Sequence, residues 1–259
     1  MTRVTDLYRY PVKGLSAEPL ERVSLSAGFG FPKDRHYAFA LSDTTFDPSA
    51  PKAIPKTFFL MLMKNEKLAA LSTHFEDAGE KLTIRDRNGA TLASGRLSDA
   101  EERAGLGTFF QTYLGDELSG APHLVAAEGH QFTDVSVVSE TLMRSISLIN
   151  LASVRELEKA LGKPVHPIRF RGNVYFDNGE PWSELEWVDR ELTIGGVRLK
   201  GNLRTRRCPA TQVNPDTAER DIDIPQEIKA HFGHSDMGVY AEVLTDGDIA
   251  VGDNVIPQS

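Results

Sequence analysis

The sequence predicts an α+β protein, mainly β with a few helices, whose strands close into a barrel. Three observations carry this expectation. The first forty residues alternate apolar and polar positions, the chain after residue 165 reads as short strands punctuated by turns, and only three segments repeat apolar residues at helical spacing. A chain of 259 residues with 40% hydrophobic content can bury a sizeable core, as one large domain or as two smaller ones sharing an interface.

In chain order, the alternation is clearest at Tyr37, Phe39 and Leu41, the period of a half-buried strand. Residues 42–58 are rich in Pro, Ser, Thr and Asp and carry no period, which predicts an irregular loop. Strand-like runs follow at 81–85 and 90–94. Ser98-Asp99-Ala100-Glu101 has the capping-box spacing, and Leu106, Phe109, Phe110, Tyr113 and Leu114 then recur helically as far as Gly115. This helix closes the N-terminal half. A second helix spans about 149–161, with Leu151, Val154, Leu157 and Leu161 on one face, Gly162 as its stop and Pro164 beyond. A third follows Pro225, carries Ile228 and Phe232 on one face, and ends at Gly233. Short strands are expected at 173–176, on either side of a Gly195-Gly196 hairpin turn, and at 239–244 before Asp246-Gly247. No period of 20–50 residues indicates a solenoid or propeller.

A formal charge of −8 argues against nucleic-acid binding, which needs a basic face to neutralise phosphates. No stretch approaches the roughly twenty apolar residues of a membrane span, and the N-terminus enters patterned sequence without an apolar signal region. The expected location is the cytoplasm. A single cysteine, Cys208, excludes an intramolecular disulfide, a multi-thiolate zinc site and a cluster needing several thiolates.

That cysteine sits in Arg204-Thr205-Arg206-Arg207-Cys208-Pro209-Ala210-Thr211, a stretch too polar for a core strand. A free cysteine is most often a small buried hydrophobe, but the flanking arginines here favour a thiolate. Such a thiolate could be a nucleophile, a redox sensor or a soft metal ligand, and local sequence does not choose among them. Seven scattered histidines offer no evident base for it. A second constellation, Arg169-Phe170-Arg171-Gly172-Asn173, places two arginines on one face of an extended chain, suited to a phosphate or carboxylate. A surface salt bridge is an equally good account of that pair. The third is Tyr8-Arg9-Tyr10-Pro11-Val12-Lys13-Gly14 with Lys33-Asp34-Arg35, from which Lys13 and Arg35 could reach an anion over a sheet end.

These segments, in this order, resemble the MOSC family, the fold of molybdenum-cofactor sulfurase C-terminal domains and of the mitochondrial amidoxime-reducing component. Tyr10-Pro11-Val12-Lys13 and Asp34-Arg35 resemble the family's N-terminal barrel signature, and Arg169-Phe170-Arg171-Gly172-Asn173 its Arg-Phe-Arg-x-Asn motif. Arg207-Cys208-Pro209-Ala210-Thr211 through Asn214-Pro215-Asp216-Thr217 resembles its cysteine loop. Gly247-Asp248-Ile249-Ala250-Val251-Gly252-Asp253 resembles its closing strand. The resemblance implies a MOSC-type β-barrel over 121–257 with an N-terminal barrel-like lobe over 1–120. It implies that Cys208 ligates molybdenum and acts in catalysis, while Lys13, Arg35, Arg171, Asn173, Arg207 and Thr211 bind the molybdopterin.

The sequence departs from the family pattern at Gly14, where amidoxime-reducing relatives often carry a serine, and around Gln131-Phe132-Thr133-Asp134, which aligns poorly. No electron-transfer or sulfurase domain flanks the chain, so electrons or sulfur are expected from a separate protein. The resemblance implies a molybdenum-dependent oxidoreductase that reduces N-hydroxylated or other N–O or S–O compounds by oxygen-atom transfer. Two alternatives remain open: a sulfur-carrier or cofactor-delivery protein in which Cys208 carries a persulfide, and a β-barrel that binds some other anion.

Overall fold

The computed structural model describes residues 2–258. In chain order its elements are β1 (Arg3–Arg9), β2 (Glu18–Leu20), β3 (Arg22–Leu25), β4 (Tyr37–Ala40), β5 (Ser72–Glu76), β6 (Lys81–Arg85), β7 (Thr91–Arg96), α1 (Ala100–Leu114), β8 (His123–Ala126), α2 (Glu140–Met143), β9 (Ile146–Asn150) and α3 (Leu151–Leu161). There follow β10 (Val174–Asp177), β11 (Glu191–Ile194), β12 (Val197–Arg206), α4 (Ile224–Phe232), β13 (Asp236–Val243), β14 (Gly247–Ala250) and β15 (Val255–Pro257). The protein is α+β, mainly strand, as expected.

Eight strands form one sheet in the order β15-β11-β12-β13-β9-β10-β1-β2, which curls into a half-barrel. All its pairings are antiparallel except β9 with β10, whose parallel connection runs through α3. Every residue of β9 is buried, so its side chains show no alternation and carry no period-2 signal. One face carries the core of Leu148, Val174, Phe176, Leu199 and Val239, with Trp187 stacked on Phe176 at 4.9 Å. A further cluster packs α3 and α4 through Val154, Leu157, Ile224 and Ile228 onto Ile149 and Tyr175.

Residues 12–114 build a separate core, in which Phe39, Phe75, Leu82, Ile84, Leu106 and Phe110 join β4, the three-stranded sheet β5-β6-β7 and α1. This part is not independent of the rest. β1 and β2 are laid into the eight-stranded sheet, β3 pairs with β14, and Val4, Leu7, Val23 and Leu25 belong to the half-barrel core.

Three sequence expectations need correction. β4 is buried at all four positions rather than on one face, because β8 and two clusters enclose it. The cap of α1 is Asp99, not Ser98: its carboxylate accepts the amides of Glu101 and Glu102, so the reciprocal capping box does not form. The second helix starts two residues later than expected because Ile149 and Asn150 complete β9. The other helix ends stand as read, with Gly162 and Gly233 in left-handed geometry. Among the described residues, no helix is long and apolar enough to cross a membrane.

Phe110 is fully buried and lies edge-on to Phe39 at 4.7 Å. Phe110→Ala should therefore cost about 3–5 kcal/mol. Chemical denaturation should show a lowered midpoint with an unchanged slope.

Candidate active site

A cleft of about 280 Å³ opens where the segments after β1, before β4, before β10 and after β12 meet. It is lined by all seven residues singled out from sequence: Lys13, Arg35, Arg171, Asn173, Arg207, Cys208 and Thr211. Its cationic lining side chains are Lys13, Arg35, Lys56, Arg169, Arg171, Arg204, Arg206 and Arg207, against the acids Asp34 and Asp134. In a chain of net charge −8 this is a local reversal of sign.

Each cation is placed by its backbone. Beyond β1 the chain runs beside β4: Lys13 N donates to Tyr37 O, Tyr37 N to Pro11 O, and Arg35 N to Tyr10 O at 2.7 Å. Arg35 and Arg171 both lie in the left-handed region, at φ 47° and 49°, a backbone strain concentrated where two guanidinium groups must converge. Arg35 donates to Asp34 and, at 2.7 Å, to Arg171 O, and both guanidinium groups lie over the Tyr10 ring at 4.2 and 4.3 Å. Arg171 gives one N–H to Leu15 O at 2.8 Å.

The expected extended pairing of Arg169 with Arg171 is not what forms. Residues 167–170 make a turn of 3₁₀ helix, so the two side chains diverge. Arg169 is buried, bonded to Thr211 O and Gln212 O and paired with Asp221 at 2.7 Å, so it is engaged in a salt bridge, buried rather than at the surface, while Arg171 faces the cleft without a carboxylate partner among the described residues.

Cys208 is half-buried at the start of a 3₁₀ turn over Pro209–Gln212. Its neighbour Arg207 does not reach the sulfur. That guanidinium bonds Met237 O and, at 2.8 Å, Phe170 O, stapling the cysteine loop to the Arg-Phe-Arg segment. Burial pulls its pKa down. Thr211 bonds Cys208 O through both its amide and its hydroxyl at 3.0 and 2.9 Å, which shapes the turn. Asn173 bridges Ser147 N and Tyr8 O and so fixes the seam of β9, β10 and β1. These two residues hold the frame of the site.

The sequence missed two residues that complete the cleft. Asp134 accepts from Lys13 Nζ at 2.6 Å and from Lys56 Nζ at 2.7 Å, and Lys56 Nζ also lies 3.2 Å from Cys208 Sγ. Burial alone would raise the Asp134 pKa, but the two ammonium groups outweigh it and hold this carboxyl far below the usual range. Lys56 is raised above its ordinary value: burial opposes the charge, and Asp134 and Cys208 prevail. Lys13, only 5% exposed, is lowered by burial despite Asp134. Two buried hydroxyls lining the cleft, Ser147 Oγ and Thr205 Oγ1, have no hydrogen-bond partner among the described residues. Gly14 sits in the wall at φ +80°, where an added Cβ would lie 2.9 Å from Leu60 O, so only glycine fits this bend.

A model of the MOSC domain matches residues 125–256. The chain belongs to the MOSC domain family. The human mitochondrial amidoxime-reducing component 1 is 29% identical to this MOSC protein over 150 residues, covering 52% of this chain and 44% of the human one. The Xenopus laevis protein of the same name is 24% identical over 281 residues, covering 97% and 81%. The molybdenum cofactor sulfurase of Drosophila willistoni is 34% identical over 102 residues, 38% of this chain but 12% of that one. Of the curated relatives matched first, the chain thus spans less than half the length. Among solved structures, the YUAD protein of Bacillus subtilis aligns over 100% of this chain and 97% of its own, with 12% identity and a TM-score of 0.44. Among the described residues no three His, Cys, Asp or Glu side chains gather to hold a metal ion by themselves.

Because Asp134 titrates far lower folded than unfolded, its contribution is fully present above the ordinary carboxylate range and is lost as pH falls through its folded value. Its side chain is 43% exposed, which trims the cost of Asp134→Asn to about 1–2 kcal/mol at pH 7. Denaturation followed from pH 7 downwards should show the wild type keeping its advantage until the ordinary carboxylate range is reached, at about pH 4, and converging on the variant only below it, mostly under about pH 3.

Proposed function

We propose that this MOSC protein binds a molybdenum–pterin cofactor in the cleft and reduces small N-hydroxylated or other N–O or S–O compounds, with Cys208 as the sulfur ligand to the metal. The observation that carries the reading is the one thiol of the chain set among clustered cations in an otherwise acidic protein. Relatives named for amidoxime reduction and for the molybdenum cofactor support it.

The donor set fits such a group. Sulfur suits the metal, guanidinium and ammonium groups suit a phosphate, and the unpartnered Ser147 and Thr205 hydroxyls offer hydrogen bonds to a polar ring system. When bound, the cofactor supplies the oxygen-atom and electron chemistry that side chains lack. The chain supplies position. Arg171 has N–H donors beyond the one committed to Leu15 O, and Lys13 and Arg35 stand beside it, so these three form the phosphate clamp. Arg207, Thr211 and Asn173 fix the loops that carry the clamp and the ligand. Met61, Leu62 and Leu203 give the cleft apolar walls that limit water around the reacting centre. Electrons come from a separate protein, and the cytoplasm is the proposed setting.

Molybdenum by elemental analysis and pterin by fluorescence, on protein from a host that makes the cofactor, test this directly. The wild type should carry both near stoichiometrically and Cys208→Ala should lose the metal. Neither metal nor pterin in the wild type would overturn the reading. Loaded wild type that fails to reduce an N-hydroxylated compound with an artificial electron donor would favour the sulfur-carrier alternative. Since a phosphate clamp binds ground and transition states alike, Arg171→Ala should lower cofactor content several-fold while turnover per bound molybdenum changes little.

A further inference from the structure

Lys56 lies in the aperiodic segment between β4 and β5, outside residues 125–256 that the MOSC domain model matches. Its ammonium group nevertheless reaches across to the cysteine loop. It donates to Asp134 Oδ2 at 2.7 Å and to Cys208 Sγ at 3.2 Å, with 23% of its side chain exposed. Asp134 in turn takes a bond from Lys13, which is anchored to Phe132 O at 2.9 Å. A continuous chain of hydrogen bonds therefore runs from Lys13, in the phosphate clamp, through Asp134 and Lys56 to the sulfur.

An ammonium group has three N–H donors, and a carboxylate that accepts from two lysines fixes the direction of both. Held by Asp134, Lys56 keeps one donor on Sγ without depending on the sulfur to hold it in place. A metal-bound thiolate still has lone pairs that accept such a bond. Outer donors and net charge of this kind orient the ligand and tune the metal's reduction potential.

We propose that Lys56 is a positioning residue that donates an N–H···S hydrogen bond to Cys208 and, through it, sets the reduction potential of the molybdenum bound there. This rests on the cofactor reading above. The residue is oriented by Asp134, the carboxylate it shares with Lys13 of the phosphate clamp. Removing its positive charge disfavours the reduced, more negative state of the metal site, so the potential should fall.

The test uses holoprotein of the wild type, Lys56→Met and Lys56→Arg, each assayed for molybdenum and pterin and then titrated potentiometrically with the paramagnetic molybdenum signal as the readout. Lys56→Met should retain cofactor, shift the potential downwards and alter the signal; Lys56→Arg, which keeps charge and donor, should restore both towards wild type. Loaded Lys56→Met with the wild-type potential and signal would overturn the proposal, and so would a shift that Lys56→Arg shares in full. An unloaded wild type would instead overturn the cofactor reading. Should Lys56→Met lose cofactor altogether, Lys56 would be a holding residue and the proposal would fail.

Discussion

Buried guanidinium groups must find acceptors, and here backbone carbonyls supply most of them. Arg35 bonds Arg171 O, Arg171 bonds Leu15 O, Arg207 bonds Phe170 O and Met237 O, and Arg169 bonds Thr211 O and Gln212 O. Each arginine of one loop thereby fastens the next loop. Leaving such donors unmet would cost on the order of 1–3 kcal/mol apiece, so the loops cannot drift independently. The same residues that give the cleft its charge also give it its shape, and carbonyl partners, unlike carboxylates, satisfy the donors without cancelling that charge.

The distribution of carboxylates is the complement of this arrangement. Thirty-seven acidic residues make the protein anionic, yet only Asp34 and Asp134 line the cleft, and both are engaged by its cations. A small anion is thus attracted to a cleft whose sign opposes that of the chain as a whole. Mutual repulsion among the cations is the cost of this design. Asp134 relieves it by standing between Lys13 and Lys56, and Asp34 does so beside Arg35.

What could be read in the sequence was what is local. Helix ends at Gly162 and Gly233 and the Gly195-Gly196 turn follow from conformations that glycine adopts easily, and the three charged motifs announced themselves by composition. What could not be read depends on partners distant in sequence. β9 has no alternation because it is buried on both faces, and β1 finds its neighbour in β10. Lys56 is one lysine in a Pro-rich segment with no pattern around it. Asp134 was invisible for a related reason: a buried Lys13 calls for a carboxylate, but nothing in the chain says which of thirty-seven answers. The same-face pairing of Arg169 with Arg171 presupposes an extended chain, and a 3₁₀ turn forms there instead.

The pairing of β3 with β14 sets a condition on biosynthesis. Val23 lies opposite Ile249, so a strand made among the first must wait, unpaired, for one made among the last. The core that both strands share with the half-barrel cannot be completed on the ribosome before β14 has emerged, and contacts of such long range form slowly. During that interval the early apolar strands have no partner, and their protection falls to whatever binds nascent chains in the cell.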